Sequence, residues 1–147
     1  MRTISDVIIP FGVESFVLLD RITSYSRTAL TAEKIFTDTP AYLALESMAQ
    51  AGGMHFRKYM EFGSHAFLLS IPHVPFPAAT TITGTAQIDV CNTAITDTTA
   101  AYTITFTCGE TCLHGEYMFG CTPFGKEFSQ MVLTTHYREL FTCLLTA

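Results

Sequence analysis

Charge is scarce in this sequence. Only 14% of the 147 residues are Asp, Glu, Lys or Arg, and just eight are Lys or Arg. Phosphate neutralisation needs clustered cations, and none occur, so nucleic-acid binding is disfavoured. So little charge also implies that part of the surface is covered by a partner chain. Long hydrophobic runs are missing as well. No apolar segment reaches the length that crosses a bilayer, which predicts no membrane partner. The first residues, Met1 to Asp6, lack the apolar stretch and small-residue cleavage site of a secretory signal, so a cytoplasmic protein is expected. Repeats, linkers and low-complexity tracts are absent, and the length predicts one domain over residues 1–147. Cysteine is limited to positions 91, 108, 112, 121 and 143, an odd number in apolar surroundings. These are read as reduced core thiols. Cys108, Cys112, His114 and Cys121 have a spacing that matches no common zinc pattern, so no metal and no cofactor are expected.

What is present is apolar. Hydrophobic residues make up 48% of the chain, with twelve Phe. Residues 3–9 read as a short apolar turn or helix ended by Pro10. Phe16–Thr23 and Thr28–Lys34 are β-rich. From Ala41 to Tyr59 the chain is dominated by Ala, Leu, Met and Gln without a β-branched residue, which predicts a helix. Thr39 is a candidate N-cap and Pro40 suits a first helical position. Ala66–Phe76 is apolar, but Pro72 and Pro75 confine its second half to a sheet edge or bulge. Thr81–Cys91 and Ala100–Cys108 alternate. Thr111–Gly120 follows a tight turn at Cys108-Gly109-Glu110, which predicts a hairpin. Leu133, Tyr137, Leu140, Phe141 and Leu144 recur at helical spacing near the C-terminus. One apolar helix followed by a run of antiparallel strands predicts an α+β fold with the sheet wrapped around that helix.

The helix carries one conspicuous carboxylate, Glu46. Helical geometry puts Tyr42, Glu46, Gln50 and Gly53 along one stripe that is polar and small while the rest is oily. Most glutamates face solvent, so an exposed Glu46 is one reading. The other is the floor of a pocket, with Glu46 as general acid or base or as a substrate-orienting group.

The run Pro40, Leu45, Glu46, Met48, Ala49 and Gln50 resembles the helix motif of the β-hydroxyacyl-acyl-carrier-protein dehydratases of the FabA/FabZ type. Ile9-Pro10 with Phe16-Val17-Leu18-Leu19-Asp20-Arg21 resembles their leading segment, and Ala66 to Ile71 their strand after the helix. The likeness extends over about residues 3–122, leaving a C-terminal extension over about 126–147. It is strongest to the dehydratase-like subgroup associated with aryl-polyene clusters. The resemblance implies a hotdog fold, a dimer, and removal of water from a 3-hydroxyacyl thioester carried by acyl carrier protein or coenzyme A. It assigns the catalytic carboxylate to Glu46 and the thioester-polarising N–H to Ala41. Tyr42, Gln50, Phe67, Ser70 and His73 are the expected substrate-binding residues.

The family's catalytic His has no counterpart. The stretch where it is expected reads Ala32 to Thr39, and no His precedes His55. His73 is the candidate replacement, with a rim position as its simpler reading. His55 lies nine residues beyond Glu46, about 13 Å along a helix axis, too far for joint chemistry within one chain. Asp20-Arg21 is read as a structural pair. Three functions therefore compete: a dehydratase with a relocated base, a thioesterase using Glu46, and a half-site or non-catalytic subunit of a heterodimeric dehydratase. Arg57 and Lys58 are the best candidate contacts for an acidic carrier.

Overall fold

A computed structural model describes residues 17–73, 76–125 and 130–147. The expected turn or helix over residues 3–9 and the Ile9-Pro10 segment lie outside them. The elements run β1 (Arg21–Tyr25), β2 (Ala29–Pro40), α1 (Leu43–Tyr59), β3 (His65–His73), β4 (Thr81–Ile95), β5 (Thr99–Cys108), β6 (Thr111–Thr122) and α2 (Gln130–Thr146). All six strands form one antiparallel sheet in the order β1-β2-β4-β5-β6-β3. The β5–β6 hairpin turns on Gly109, whose φ of 57° favours glycine.

The sheet curls around α1. Inward residues alternate along the strands: Ile88 and Val90 on β4, Tyr102, Ile104 and Phe106 on β5, Leu113, Tyr117 and Phe119 on β6. Nine consecutive or near-consecutive positions from Ala44 to Phe56 on α1 are buried, as its oily, small-sided composition requires. Close approach depends on Gly52. A Cβ there would stand 2.8 Å from Ile104 Cδ1 and 2.9 Å from Phe119 Cε2.

The chain entering α1 differs from expectation. Thr39 is not an N-cap; its hydroxyl donates to the Thr37 carbonyl. Pro40 ends β2 opposite Thr81, and the helix begins only at Leu43. Pairing with β4 holds the chain extended through Pro40, and that pairing overrides the local cap signal. Residues 17–20 also lie outside any strand, although Phe16–Thr23 was expected as one. The cysteines divide: Cys108 and Cys143 are buried, but Cys91 and Cys112 are exposed. Both of the latter fall on strand positions that face away from α1, so the core reading fails for them. Asp20 and Arg21 do act structurally, but toward β2. Lys34 Nζ lies 3.0 Å from Asp20, and Arg21 Nε 2.7 Å from Glu33.

Helix α1 ends in two left-handed non-glycine residues, Glu61 (φ 52°) and Phe62 (φ 59°). Helix α2 packs against this turn. Thr134 donates to the Phe62 carbonyl at 2.8 Å, Arg138 to that of Glu61 at 3.4 Å, and Phe141 meets Phe62 and Tyr25 edge-on. Arg57 is half-buried against α2, stacked 4.0 Å over the Tyr137 ring and donating to the Ala66 carbonyl. Burial there pushes its pKa down, and Tyr137 partly offsets this.

His55 is fully buried, with Nε2 3.0 Å from the Ser26 carbonyl and Nδ1 2.8 Å from the Tyr102 hydroxyl. The carbonyl can only accept, so Nε2 carries the proton and Nδ1 accepts from Tyr102. Burial pushes the His55 pKa below 6.5. The unfolded chain then binds more protons than the folded one, so stability is full above about pH 6.5 and falls as pH drops through the folded value. His65, lowered by burial and by the Arg57 charge, acts in the same direction. Thermal midpoints are expected to fall between pH 7.5 and pH 5, and His55→Gln to flatten that slope while lowering the midpoint at pH 7.5. An unchanged slope in the variant refutes the assignment.

Candidate active site

Glu46 sits in the first turn of α1, half-buried. Its Oε1 accepts from Gln50 Nε2 at 3.0 Å, the bond that i,i+4 spacing makes available. Gln50 Oε1 in turn accepts the Leu18 N–H at 2.8 Å. Ser47, fully buried and next to Glu46 in sequence, donates to the Leu18 carbonyl at 2.8 Å. Two helix side chains thus take both polar groups of the residue preceding Leu19. Leu18 thus bonds to α1 instead of to a neighbouring strand, while the Asp20 N–H still reaches the Glu33 carbonyl of β2 at 2.8 Å.

Tyr117 supports the same turn from below. Its hydroxyl is buried, donates to the Leu45 carbonyl at 3.2 Å and lies 3.7 Å from Met48 Sδ. Burial pushes its pKa well up, and the Glu46 carboxylate adds to that. Tyr117 is therefore a neutral hydroxyl at any physiological pH.

The expected stripe is present but graded. Tyr42 is exposed at the helix start, Glu46 and Gln50 are half-buried, and Gly53 is buried against Phe119 and Arg57. The Ala41 N–H is already bonded to the Thr80 carbonyl at 2.9 Å, so it cannot serve as the free helix-terminal donor the resemblance implied. The N–H groups of Tyr42 and Leu43 have no acceptor among the described residues.

The β3 residues lie elsewhere. Phe67 pairs with Gly120, and its ring covers that glycine, on the sheet face opposite to the one Phe119 presents to α1. Ser70 pairs with Met118, and exposed His73 with Glu116 at the far end of the strand. The structure brings Glu46 and Gln50 together and does not gather Phe67 or His73 with them in this chain.

No histidine bonds to Glu46. His55 is held by Ser26 and Tyr102, and His114 by Thr105. His65 lies against the rings of Phe67 and Phe124, and His136 is on α2 against Tyr137. No group of three or more His, Cys, Asp or Glu that could hold a metal occurs among the described residues.

Sequence reasoning missed Leu18, Ser47 and Tyr117. A signal existed for Ser47 and Tyr117, since a hydroxyl on a buried helix face or an inward strand position must find a partner. The signal did not say which partner.

No protein-family model matches the chain, and no curated protein matches it in sequence. Solved structures do match in shape. The dehydratase heterocomplex ApeI:P from Xenorhabdus doucetiae superposes with a TM-score of 0.61 at 17% identity, over 76% of this chain and 86% of that one. A thioesterase from Haemophilus influenzae gives 0.58 at 10% identity, over 69% and 77%. A thioesterase family protein from Silicibacter pomeroyi gives 0.60 at 12% identity, over 71% and 85%. The chain has a hotdog fold, extended by a C-terminal helix. At these identities the likeness concerns the fold alone.

The hotdog helix is held at its first turn by Tyr117, which gives a direct test of that support. Tyr117→Phe removes one buried hydrogen bond, the one that the Leu45 carbonyl accepts in addition to its helical bond. A loss of about 0.5–1.5 kcal/mol in denaturant unfolding is expected. A loss below about 0.5 kcal/mol shows that the hydroxyl does not brace the turn.

Proposed function

We propose that this hotdog chain processes an acyl thioester, with Glu46 as the proton-carrying group, and that it works as one subunit of a two-chain dehydratase. The observation that carries the reading is the pairing of a half-buried Glu46 with Gln50 while all five histidines are engaged or located elsewhere. Dehydration of a 3-hydroxyacyl thioester removes a proton at C2 and returns one to the departing hydroxyl. A carboxyl can deliver the second proton, but removal of the first in the same active site calls for another base. A second hotdog chain is the natural source.

The edge strand supports such pairing. Among the described residues β3 pairs on one side only, with β6, and it exposes Phe67, Leu68 and Leu69 at 38%, 43% and 50%. An apolar, unpaired strand edge is a template for another chain. Either a copy of this chain or a different hotdog chain fits that edge, and the missing base favours the different one. A dehydratase heterocomplex among the structural neighbours is in keeping with this. At the helix start, the Tyr42 and Leu43 amides take over the thioester-polarising role that the resemblance gave to Ala41, with the helix dipole favouring negative charge on the carbonyl oxygen. Exposed Tyr42 and half-buried Gln50 would line the approach of the acyl group, and Ser70 and His73, which lie away from Glu46 in this chain, would contribute only across the interface. The thioester is carried by acyl carrier protein or coenzyme A, and the chemistry needs no cofactor.

One observation favours a second reading. Glu46 with an amide neighbour and no histidine also suits activation of a water for thioester hydrolysis. The purified chain, alone and mixed with a second hotdog subunit, should be given 3-hydroxyacyl and saturated acyl thioesters. Enoyl formation that requires the mixture is the expected result, whereas thiol release by the chain alone points to hydrolysis. Glu46→Gln should lower whichever activity appears by about 10²–10⁴-fold. Full turnover in that variant sinks the assignment of Glu46.

A further inference from the structure

We propose that the Leu18 peptide, Gln50 and Ser47 form a positioning device that makes Oε2 of Glu46 the oxygen that exchanges protons with substrate. This rests on Glu46 being the proton carrier and adds the atom and the residues that select it.

The argument follows hydrogen-bond polarity. The Leu18 N–H can only donate, and it points at Gln50 at 2.8 Å. The carbonyl end of the Gln50 amide must therefore face Leu18, which fixes an orientation that shape alone leaves open. The amide nitrogen is then turned to Glu46, 3.0 Å from Oε1, and it can only donate. Oε1 must accept, whether the carboxyl is ionised or protonated. Any proton on Glu46 therefore resides on Oε2, which has no partner among the described residues.

The template itself is pinned. Ser47 Oγ donates to the Leu18 carbonyl at 2.8 Å, so the residue whose N–H orients Gln50 is held through both of its backbone polar groups. Ser47 is fully buried and sits between Glu46 and the rest of the helix in sequence. One backbone unit, 28 residues before Glu46 in the chain, thereby sets the direction of a side-chain amide and, through it, the face of a carboxyl. Gln50 and Ser47 act through Glu46 and are positioning residues. A displacement of about 1 Å at a reacting group can cost on the order of 10²-fold in rate.

Two measurements test this. The first needs no turnover: the side-chain NH₂ resonances of Gln50, assigned by their loss in Gln50→Glu, should shift with pH along one titration curve in the wild-type chain. That curve should vanish in Glu46→Gln. PH-independent resonances in the wild type overturn the proposal.

The second is kinetic. Gln50→Leu should lower kcat by about 10–100-fold with KM little changed. Gln50→Glu keeps an acceptor for the Leu18 N–H but loses the donor. It also sets two carboxyls to share one proton, so the acidic limb of the pH–rate profile should move to higher pH. Ser47→Ala should give a smaller drop in kcat, because the Leu18 N–H bond remains. Wild-type kcat and pH profile in both Gln50 variants, with Glu46→Gln inactive, overturn the positioning role and leave Glu46 in place. An active Glu46→Gln overturns the reading beneath it instead. Rate losses that only track the folded fraction, measured by circular dichroism, also overturn the positioning role.

Discussion

A helix buried on nearly every face must satisfy two demands together: its axis must come close to the sheet, and its few polar side chains must find partners. Both demands meet in α1. Gly52 supplies the close approach, since any Cβ would run into Ile104 and Phe119. The polar side chains then draw in the rest of the chain. Ser47 and Gln50 capture Leu18, and His55 captures Ser26 and Tyr102. Tyr117 reaches up to Leu45. Leaving such groups unpaired in a dry interior would cost on the order of 1–3 kcal/mol each. The path of residues 17–20 and the seat of the β1–β2 turn are therefore consequences of what α1 carries.

Much of this was legible in the sequence. The Ala-Leu-Met run without β-branched residues marked α1, the Gly109 turn marked the last hairpin, and the period of Leu133 to Leu144 marked α2. Glu46 and Gln50 were legible as neighbours because i,i+4 spacing is a property of the helix itself. What could not be read was long-range. Leu18 lies 29 residues from Ser47 and 32 from Gln50, and its bonds to them displaced a strand that local composition favoured. Thr39 and Pro40 carried a valid cap signal, yet pairing with β4 held them extended. Cys91 and Cys112 sat in apolar surroundings along the chain, but strand alternation turned them outward.

The absence of a His beside Glu46 gives the site its character. The carboxyl is oriented by an amide rather than coupled to an imidazole. Its neighbours among the described residues include a neutral amide, a neutral phenol and a serine that is turned away to Leu18. In the proposed reading Glu46 carries one proton, and a chemistry that moves two would recruit a second group across an interface. The exposed apolar residues of β3, last in the strand order, are the surface which that reading would use.

The turn after α1 has a consequence for the order in which the molecule forms. Glu61 and Phe62 are left-handed without being glycines, and their carbonyls are met by Arg138 and Thr134 from 77 and 72 residues away. Until α2 exists, the exit of the central helix has neither those donors nor the Phe141 ring against Phe62. Closing a loop of that length is entropically costly and slow relative to local hairpins. On a ribosome, the central helix is made before α2, so its exit first relies on its own backbone bonds, such as Phe62 N–H to the Arg57 carbonyl, and gains the α2 donors only later.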